Sequence, residues 1–239
     1  MEEFKVGCAG WSVPKSAGDA FPTQGSHLER YASVFPCVEI NSCFYRPHQP
    51  KTYLRWAESV PGHFRFSVKL PKEITHKLRL QNAGEPLREF LEQVGHLGPK
   101  LGPILIQLPP SFAWSETVID SFLKLLRDQF KGQLAIEPRH RTWFAPHVEK
   151  MLERYRVARV AADPAVVPEA AHPGGWTELV YYRLHGSPKM YYSAYSTEYL
   201  TALARQLADV RGEAWCIFDN TALGAATENA LNLLQGVHA

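Results

Sequence analysis

Residues 179–186, LVYYRLHG, have the composition of a buried β-strand, yet an arginine and a histidine stand near the end. Val, Tyr and Leu suit a pleated, packed surface. Successive side chains of a strand point to opposite faces, so Val180, Tyr182 and Leu184 share one face and Arg183 and His185 the other. A charge on a buried face is costly unless it is paired or put to use. The stretch therefore predicts a strand with one apolar face and one that ends in a polar pocket.

The same pattern recurs along the chain. Counting this run, eight short stretches rich in β-branched and aromatic residues read as strands: 5–11, 37–45, 65–70, 102–109, 133–140, 157–164, 179–186 and 214–220. Most end in Pro, Gly, Asn or a charged residue. Helical periodicity fills the intervals. HLERYASVF (27–35) aligns Leu28, Tyr31, Ala32 and Phe35, and PKTYLRWAESV (50–60) stacks Tyr53, Leu54 and Ala57. PLREFLEQVGHL (86–97) carries Pro86 in its first turn. SETVIDSFLKLLRDQF (115–130) opens on Ser115 as N-cap and repeats Val118, Phe122, Leu125 and Leu126. Residues 144–155, 196–210 and 226–237 complete the set, and only the link from the sixth strand to the seventh lacks a helix. Strand–helix alternation predicts an α/β architecture. Eight units in 239 residues predict a single (β/α)8 TIM-type barrel domain over residues 1–239. A doubly wound open sheet is the alternative, weakened because the first strand is followed by no GxGxxG.

Composition narrows the function classes. The chain is 45% hydrophobic and 21% charged, with a formal net charge of +2, which gives no support to a general nucleic-acid binder. The opening MEEFKVGCAGW lacks the basic and apolar regions of a signal peptide, and no stretch approaches the roughly 18 apolar residues of a membrane helix. A cytoplasmic protein with no membrane partner is expected. Cys8, Cys37, Cys43 and Cys216 form no CxxC pair and are expected as buried thiols. Cys8, near a strand end, is the best placed of them for a nucleophile. There is no P-loop, no GxSxG and no HExxH.

Strand parity gathers the candidate site. Glu39 and Asn41 share a face of the second strand, Ser67 and Lys69 of the third, and Glu137 and Arg139 of the fifth. Gln107 lies on the Leu105 face of the fourth strand, and Asp163 on the Ala161 face of the sixth. The eighth strand offers Asp219 or Asn220, depending on register. These polar groups fall near the C-terminal ends of their strands, where barrel enzymes build active sites. An ion-pair network closing the end of the barrel is the structural alternative, since Glu39, Glu137 and Asp163 balance Lys69, Arg139 and Arg183.

The succession GWS, EINSCFYRPH, VKLPKEITH, LGPKLGPILIQLPPSF, EPRHRTWF, YYRLHG and FDNTALGAATENA resembles the YecE-like family, a domain of unknown function (DUF72) with a barrel fold. The resemblance covers essentially the whole chain and implies a TIM-type barrel with no assigned reaction. Its polar motif positions fall on Glu39, Asn41, Tyr45, Lys69, His76, Gln107, Glu137, Arg139, Arg183, His185 and Asn220. Two departures bear on the rim: SVPKSAGDAFP replaces an aromatic-rich segment after the first strand, and Asp219-Asn220 stands where paired asparagines are common.

The expected function is an enzyme, with hydrolysis preferred to isomerisation, acting on a small phosphate- or carboxylate-bearing substrate. Glu39, Glu137, His185 and His76 are the candidate acids and bases. Asn41, Tyr45, Lys69, Gln107, Arg139, Arg183, Tyr195 and Asn220 are the candidate binding residues, the arginines offering planar forks to an anion. One alternative is a metal-dependent isomerase or phosphoesterase using Glu39, Glu137, Asp163, His185 or His76 as ligands, although no local metal motif or cofactor signature is present. The other is a non-catalytic nucleotide or nucleic-acid binder stacking bases on Trp11, Trp143, Tyr191, Tyr192 or Tyr195. The segment SPKMYYSAY after the seventh strand is long enough to form a lid.

Overall fold

Strands and helices alternate through residues 4–237, which the computed structural model describes. The strands are β1 (Phe4–Cys8), β2 (Cys37–Ile40), β3 (Arg65–Lys69), β4 (Leu101–Gln107), β5 (Leu134–Glu137), β6 (Val157–Arg159), β7 (Ala161–Asp163), β8 (Gly174–Gly175), β9 (Leu179–Leu184) and β10 (Glu213–Phe218). The α-helices are α1 (His27–Ala32), α2 (Ser42–Tyr45), α3 (Pro50–Glu58), α4 (Gly84–Gly95), α5 (Glu116–Gln129), α6 (Pro146–Arg154), α7 (Thr197–Ala208) and α8 (Ala225–Val237). Among the described residues no helix is long and apolar enough to cross a membrane.

The ladders form two sheets, ordered β1-β10-β9-β7 and β2-β3-β4-β5-β6-β8. Every pairing is parallel except β8 against β6. The expected single ring of strands is therefore resolved into two sheets among the described residues. The division comes from the sixth predicted strand, which breaks at Val160: β6 pairs with β5, while β7 leaves to pair with β9. At the other seam a lone parallel bridge joins Ala9 to Glu39, and the Gly10 N–H donates to the Glu39 carbonyl at 2.9 Å.

The two faces of the strands bury different things. One packs under the helices in the main core, against Leu87 and Phe90 of α4 and Phe122, Leu123 and Leu126 of α5, for example. The other gathers a smaller cluster from both sheets, including Leu105, Ala135, Val160, Tyr181, Trp215 and Ile217. That second face carries Glu39, Ser67, Glu137 and Arg183. Its tightest approach is at Gly7, where an added Cβ would lie 2.2 Å from the Cys37 carbonyl oxygen. Both partners are backbone, so no rotamer relieves the clash. Gly7→Ala is expected to destabilise the fold at or beyond the upper end of the about 1–3 kcal/mol typical of overpacking. A urea midpoint unchanged from the parent would show that β1 and β2 can move apart.

Several local expectations change. The run 37–45 stops as a strand at Ile40, because Asn41 turns into the helical region and α2 follows. Ser115 stands at the N-cap of α5 in extended conformation, but its side chain makes no capping bond. In that helix the fully covered stripe is Ile119, Phe122, Leu123 and Leu126, one position round from the one expected. Leu54 faces solvent, because Tyr53 and Trp56 take the inner face of α3. The turn KEITHKL is one turn of π-helix, Glu73–Lys77, which buries Ile74 and Thr75 and leaves His76 half-buried.

Candidate functional site

Arg183, near the C-terminal end of β9, lies in register with Ile217 of β10 and Ala162 of β7. It is 0% exposed, as is Glu39, and Glu137 is 1% exposed. Its guanidinium grips Glu39 side-on, with Nη2 donating to Oε1 at 2.7 Å and Nε to Oε2 at 3.0 Å. Nη1 donates to Glu137 Oε2 at 2.6 Å, and Nη2 also donates to Asp219 Oδ2 at 3.1 Å. These bonds occupy all but one of the N–H groups of a guanidinium. Tyr181, two residues earlier on the same face, donates to Glu39 Oε2 at 2.9 Å and lies 2.8 Å from Ser67 Oγ. Strand parity thus does what β9 promised, but the arginine it turns inward is held by three protein carboxylates.

His185 continues the network. Nδ1 faces Asp219 Oδ2 and Nε2 faces Glu137 Oε1, both at 3.0 Å. The imidazolium donates to both carboxylates, whereas a neutral ring protonated at Nδ1 would turn its Nε2 lone pair toward Arg139 Nη2, 3.3 Å away. Burial pulls the imidazole toward neutrality, but Glu137 and the two hydrogen bonds outweigh it and leave its pKa raised. Burial would raise the Glu137 carboxyl, yet Arg183, His185 and Arg139 together hold it well below the usual range. Asp219 is likewise lowered, against its burial, by Arg183 and His185. Arg139 donates through Nε to Glu137 Oε1 at 2.9 Å and is the least covered member. Three carboxylates (Glu39, Glu137, Asp219) therefore meet Arg183, Arg139 and His185, and the cluster is neutral when His185 is protonated.

Lys69 stands outside this balance. It ends β3 at 8% exposure, with its ammonium 4.1 Å from the centre of the Phe44 ring. Among the described residues it has no carboxylate within 4.0 Å and no side-chain hydrogen bond. Burial and then Arg183 push its pKa down to about 8, against the pull of Glu39, Glu137 and Asp219. The Phe44 ring also meets the His76 ring, edge-on at 5.1 Å. Burial lowers the His76 pKa, and Lys69, Lys72, Arg139 and Arg79 lower it further. A cationic rim thus surrounds His76 beside the neutral cluster.

The other candidates go elsewhere. Tyr45 is 79% exposed, edge-on to Phe44, because α2 turns it out to solvent. Asn41 is half-buried at the N-terminus of α2, with its Oδ1 sealed and unpartnered. Gln107 pairs in register with Glu137, but its Nε2 donates to the Leu108 carbonyl. Tyr195 is buried on the far side of β9, where it donates to Asp163 Oδ1 at 2.8 Å and accepts from the Gly186 N–H at 2.8 Å. Asp163 thus follows Ala161 onto the helix-facing side and stays out of the Arg183 cluster. Asn220 is fully buried and donates to the Ser193 carbonyl at 2.9 Å and Asn229 Oδ1 at 3.0 Å, tying the segment after β9 to α8.

In that segment Tyr191 (φ +70°) donates its N–H to the His185 carbonyl and sets its ring edge-on to the imidazole at 5.9 Å. Of the aromatics considered for base stacking, Trp143 is sealed in the core and Trp11 packs on Trp56. Tyr191 and Tyr192 are exposed. Cys8 lines a separate cavity of about 270 Å³ with Gly10, Ser12, Thr221 and Thr227, and burial pushes its thiol up to about 12, which keeps it protonated. All four cysteines are free and buried. Among the described residues no group of three or more His, Cys, Asp and Glu side chains is arranged to hold a metal ion. The carboxylates are drawn around a guanidinium instead.

Register decides between Asp219 and Asn220. Ile217 pairs with Arg183 on the inner face, so Asp219, two residues on, joins it and Asn220 turns away. Tyr181 is a member that sequence reasoning passed over, though its parity with Arg183 was a sufficient signal. A family model described as "Protein of unknown function DUF72" matches residues 5–239. The YecE protein of Escherichia coli strain K12 is 33% identical over 174 residues, 70% of this chain, and the chain spans 61% of that relative's length. A DUF72 family protein from Thermotoga maritima has a similar crystal structure, with a TM-score of 0.82 at 25% identity, covering 99% of each chain. Another, from Enterococcus faecalis, has a TM-score of 0.81 at 24% identity, covering 99% of this chain and 96% of its own.

Proposed function

Since the chain belongs to the DUF72 family, whose description carries no activity, we propose a function from the site: a single (β/α)8 barrel domain whose C-terminal mouth takes a small phosphate- or carboxylate-bearing substrate and acts on it as an enzyme. The barrel is supported at both seams, by the Ala9–Glu39 bridge and by β6 and β7, which follow each other across Val160 and pair one with each sheet. The observation that carries the anion is the surplus of unpaired cations. Among the described residues Lys69, Lys72 and Arg79 have no carboxylate within 4.0 Å, and they lie around His76 together with Arg139. Cations gathered without counter-charge favour an anionic ligand. Arg183 is a positioning residue in this scheme, because all but one of its donors are already taken. Proton transfer falls to the Glu137–His185 pair and to the groups of the rim, and hydrolysis and isomerisation both use such transfer.

Inorganic phosphate, added at constant ionic strength, is expected to raise the melting temperature as the logarithm of its concentration, because it binds only the folded state. The double variant Lys72→Met, Arg79→Met leaves the buried cluster intact and is expected to lose most of that rise. A parent protein indifferent to phosphate at every concentration would remove the anion site.

A further inference from the structure

Lys69 is nearly covered, yet among the described residues its ammonium has no carboxylate within 4.0 Å and no hydrogen bond, and its close partner is the Phe44 ring, 4.1 Å away. Its backbone is fixed: the carbonyl accepts from Cys43 Sγ at 3.1 Å, and Lys69 is in register with Leu105 of β4. The side chain is nearly covered and lies over an aromatic face, yet its nitrogen is not among the sealed, unpartnered polar atoms. With His185 protonated, the adjacent cluster is neutral without it. A buried ammonium with no carboxylate in contact is a cost to stability unless the amine has work to do.

We propose that Lys69 is an imine-forming nucleophile, whose amine condenses with the carbonyl carbon of an aldehyde or ketone bearing a phosphate or carboxylate. The inference rests on the anion site proposed above, which takes the substrate's charged end. In the step, the neutral amine attacks the carbonyl carbon and a C–N bond forms. The carbonyl π pair moves to oxygen, which takes up a proton as nitrogen loses one, giving a carbinolamine. A second proton lets that oxygen leave as water, and the nitrogen lone pair forms the C=N bond of a protonated imine. No oxidant or reductant is needed. The iminium carries the same charge as the ammonium it replaces, so the pull of Glu39, Glu137 and Asp219 on Lys69 has the same sign for both. A lysine pKa near 8 leaves a useful share of free amine at neutral pH.

The test is reductive trapping of the whole chain with dihydroxyacetone phosphate and sodium borohydride, read by intact mass and peptide mapping. One reduced adduct at Lys69 is expected, formed several-fold more slowly in the presence of inorganic phosphate. Lys69→Arg, checked for folding by circular dichroism, is expected to lose it. No adduct, or label spread over surface lysines and indifferent to phosphate, overturns the proposal. Phosphate stabilisation without trapping would leave the anion site standing and remove only the imine. Equal labelling of Lys69 by dihydroxyacetone, which lacks the phosphate, would overturn the substrate class.

Discussion

Arg183→Met is expected to lose about 3–5 kcal/mol of stability, because removing one partner of a buried ion pair strands the others. For a chain of this size that lowers the melting temperature by roughly 6–20 °C. Glu39 suffers most: the substitution deletes both bonds of a side-on grip and leaves a carboxylate with no surface exposure held by Tyr181 alone among side-chain donors. Methionine fills similar volume, so the loss is electrostatic and not a cavity effect. The double variant Arg183→Met, Glu39→Gln removes the carboxylate that loses most, keeps Glu137 for Arg139 and His185, and is expected to recover part of the stability. Arg139→Met, at the more open edge of the cluster, is expected to lose less than Arg183→Met. Urea unfolding measures all three. If Arg183→Met lay within about 1 kcal/mol of the parent, against the magnitude for buried pairs, the guanidinium would not be the keystone of the cluster. It would then be free to bind substrate.

The second large effect is on pH. Glu137 and Asp219 have folded pKa values below their ordinary 4.5 and 3.8. A depressed carboxylate contributes stability that is present above its unfolded pKa and lost as pH falls through the folded one. Stability is therefore expected to decline as the solution is acidified below about 4.5, steepening as both groups protonate inside the cluster. His185 works in the opposite direction. Its folded pKa is raised above 6.5, so its contribution is complete below that value and disappears as pH rises through the folded pKa. The contribution of these three groups to the unfolding free energy should then be greatest between about 4.5 and 6.5, while Lys69 and His76, whose folded pKa values are lowered, add stability as pH rises through their own windows. His185→Gln is expected to remove the alkaline decline that His185 contributes and keep the acid one. A parent and a His185→Gln variant with the same profile from pH 5 to 9 would mean that His185 is neutral, and that its two carboxylate contacts are not both hydrogen bonds.

The sequence by itself determined that strands and helices alternate, and which face of most strands is polar. Alternation along a strand is local and has a period of two, so Glu39, Glu137, Arg139, Arg183 and His185 could be placed on common faces without any knowledge of their partners. The resemblance in EINSCFYRPH, EPRHRTWF and YYRLHG reached the family, which the matched model shows. Other features depended on the strands meeting. Asp219 and Asn220 differ by one residue, and only the pairing of Ile217 with Arg183 selects the aspartate. Tyr45 and Lys69 look equally promising as text, but α2 turns the first into solvent while β3 holds the second under Phe44. The break at Val160 is invisible in VARVAADP, because it arises from two sheets competing for one run. Charge pairing is also a tertiary property. The sequence shows which acids and bases share a face, but only distance shows that Arg183 is fully engaged and Lys69 is not. The Coulomb energy that separates a structural ion from an available one depends on separation and burial, and neither is encoded locally.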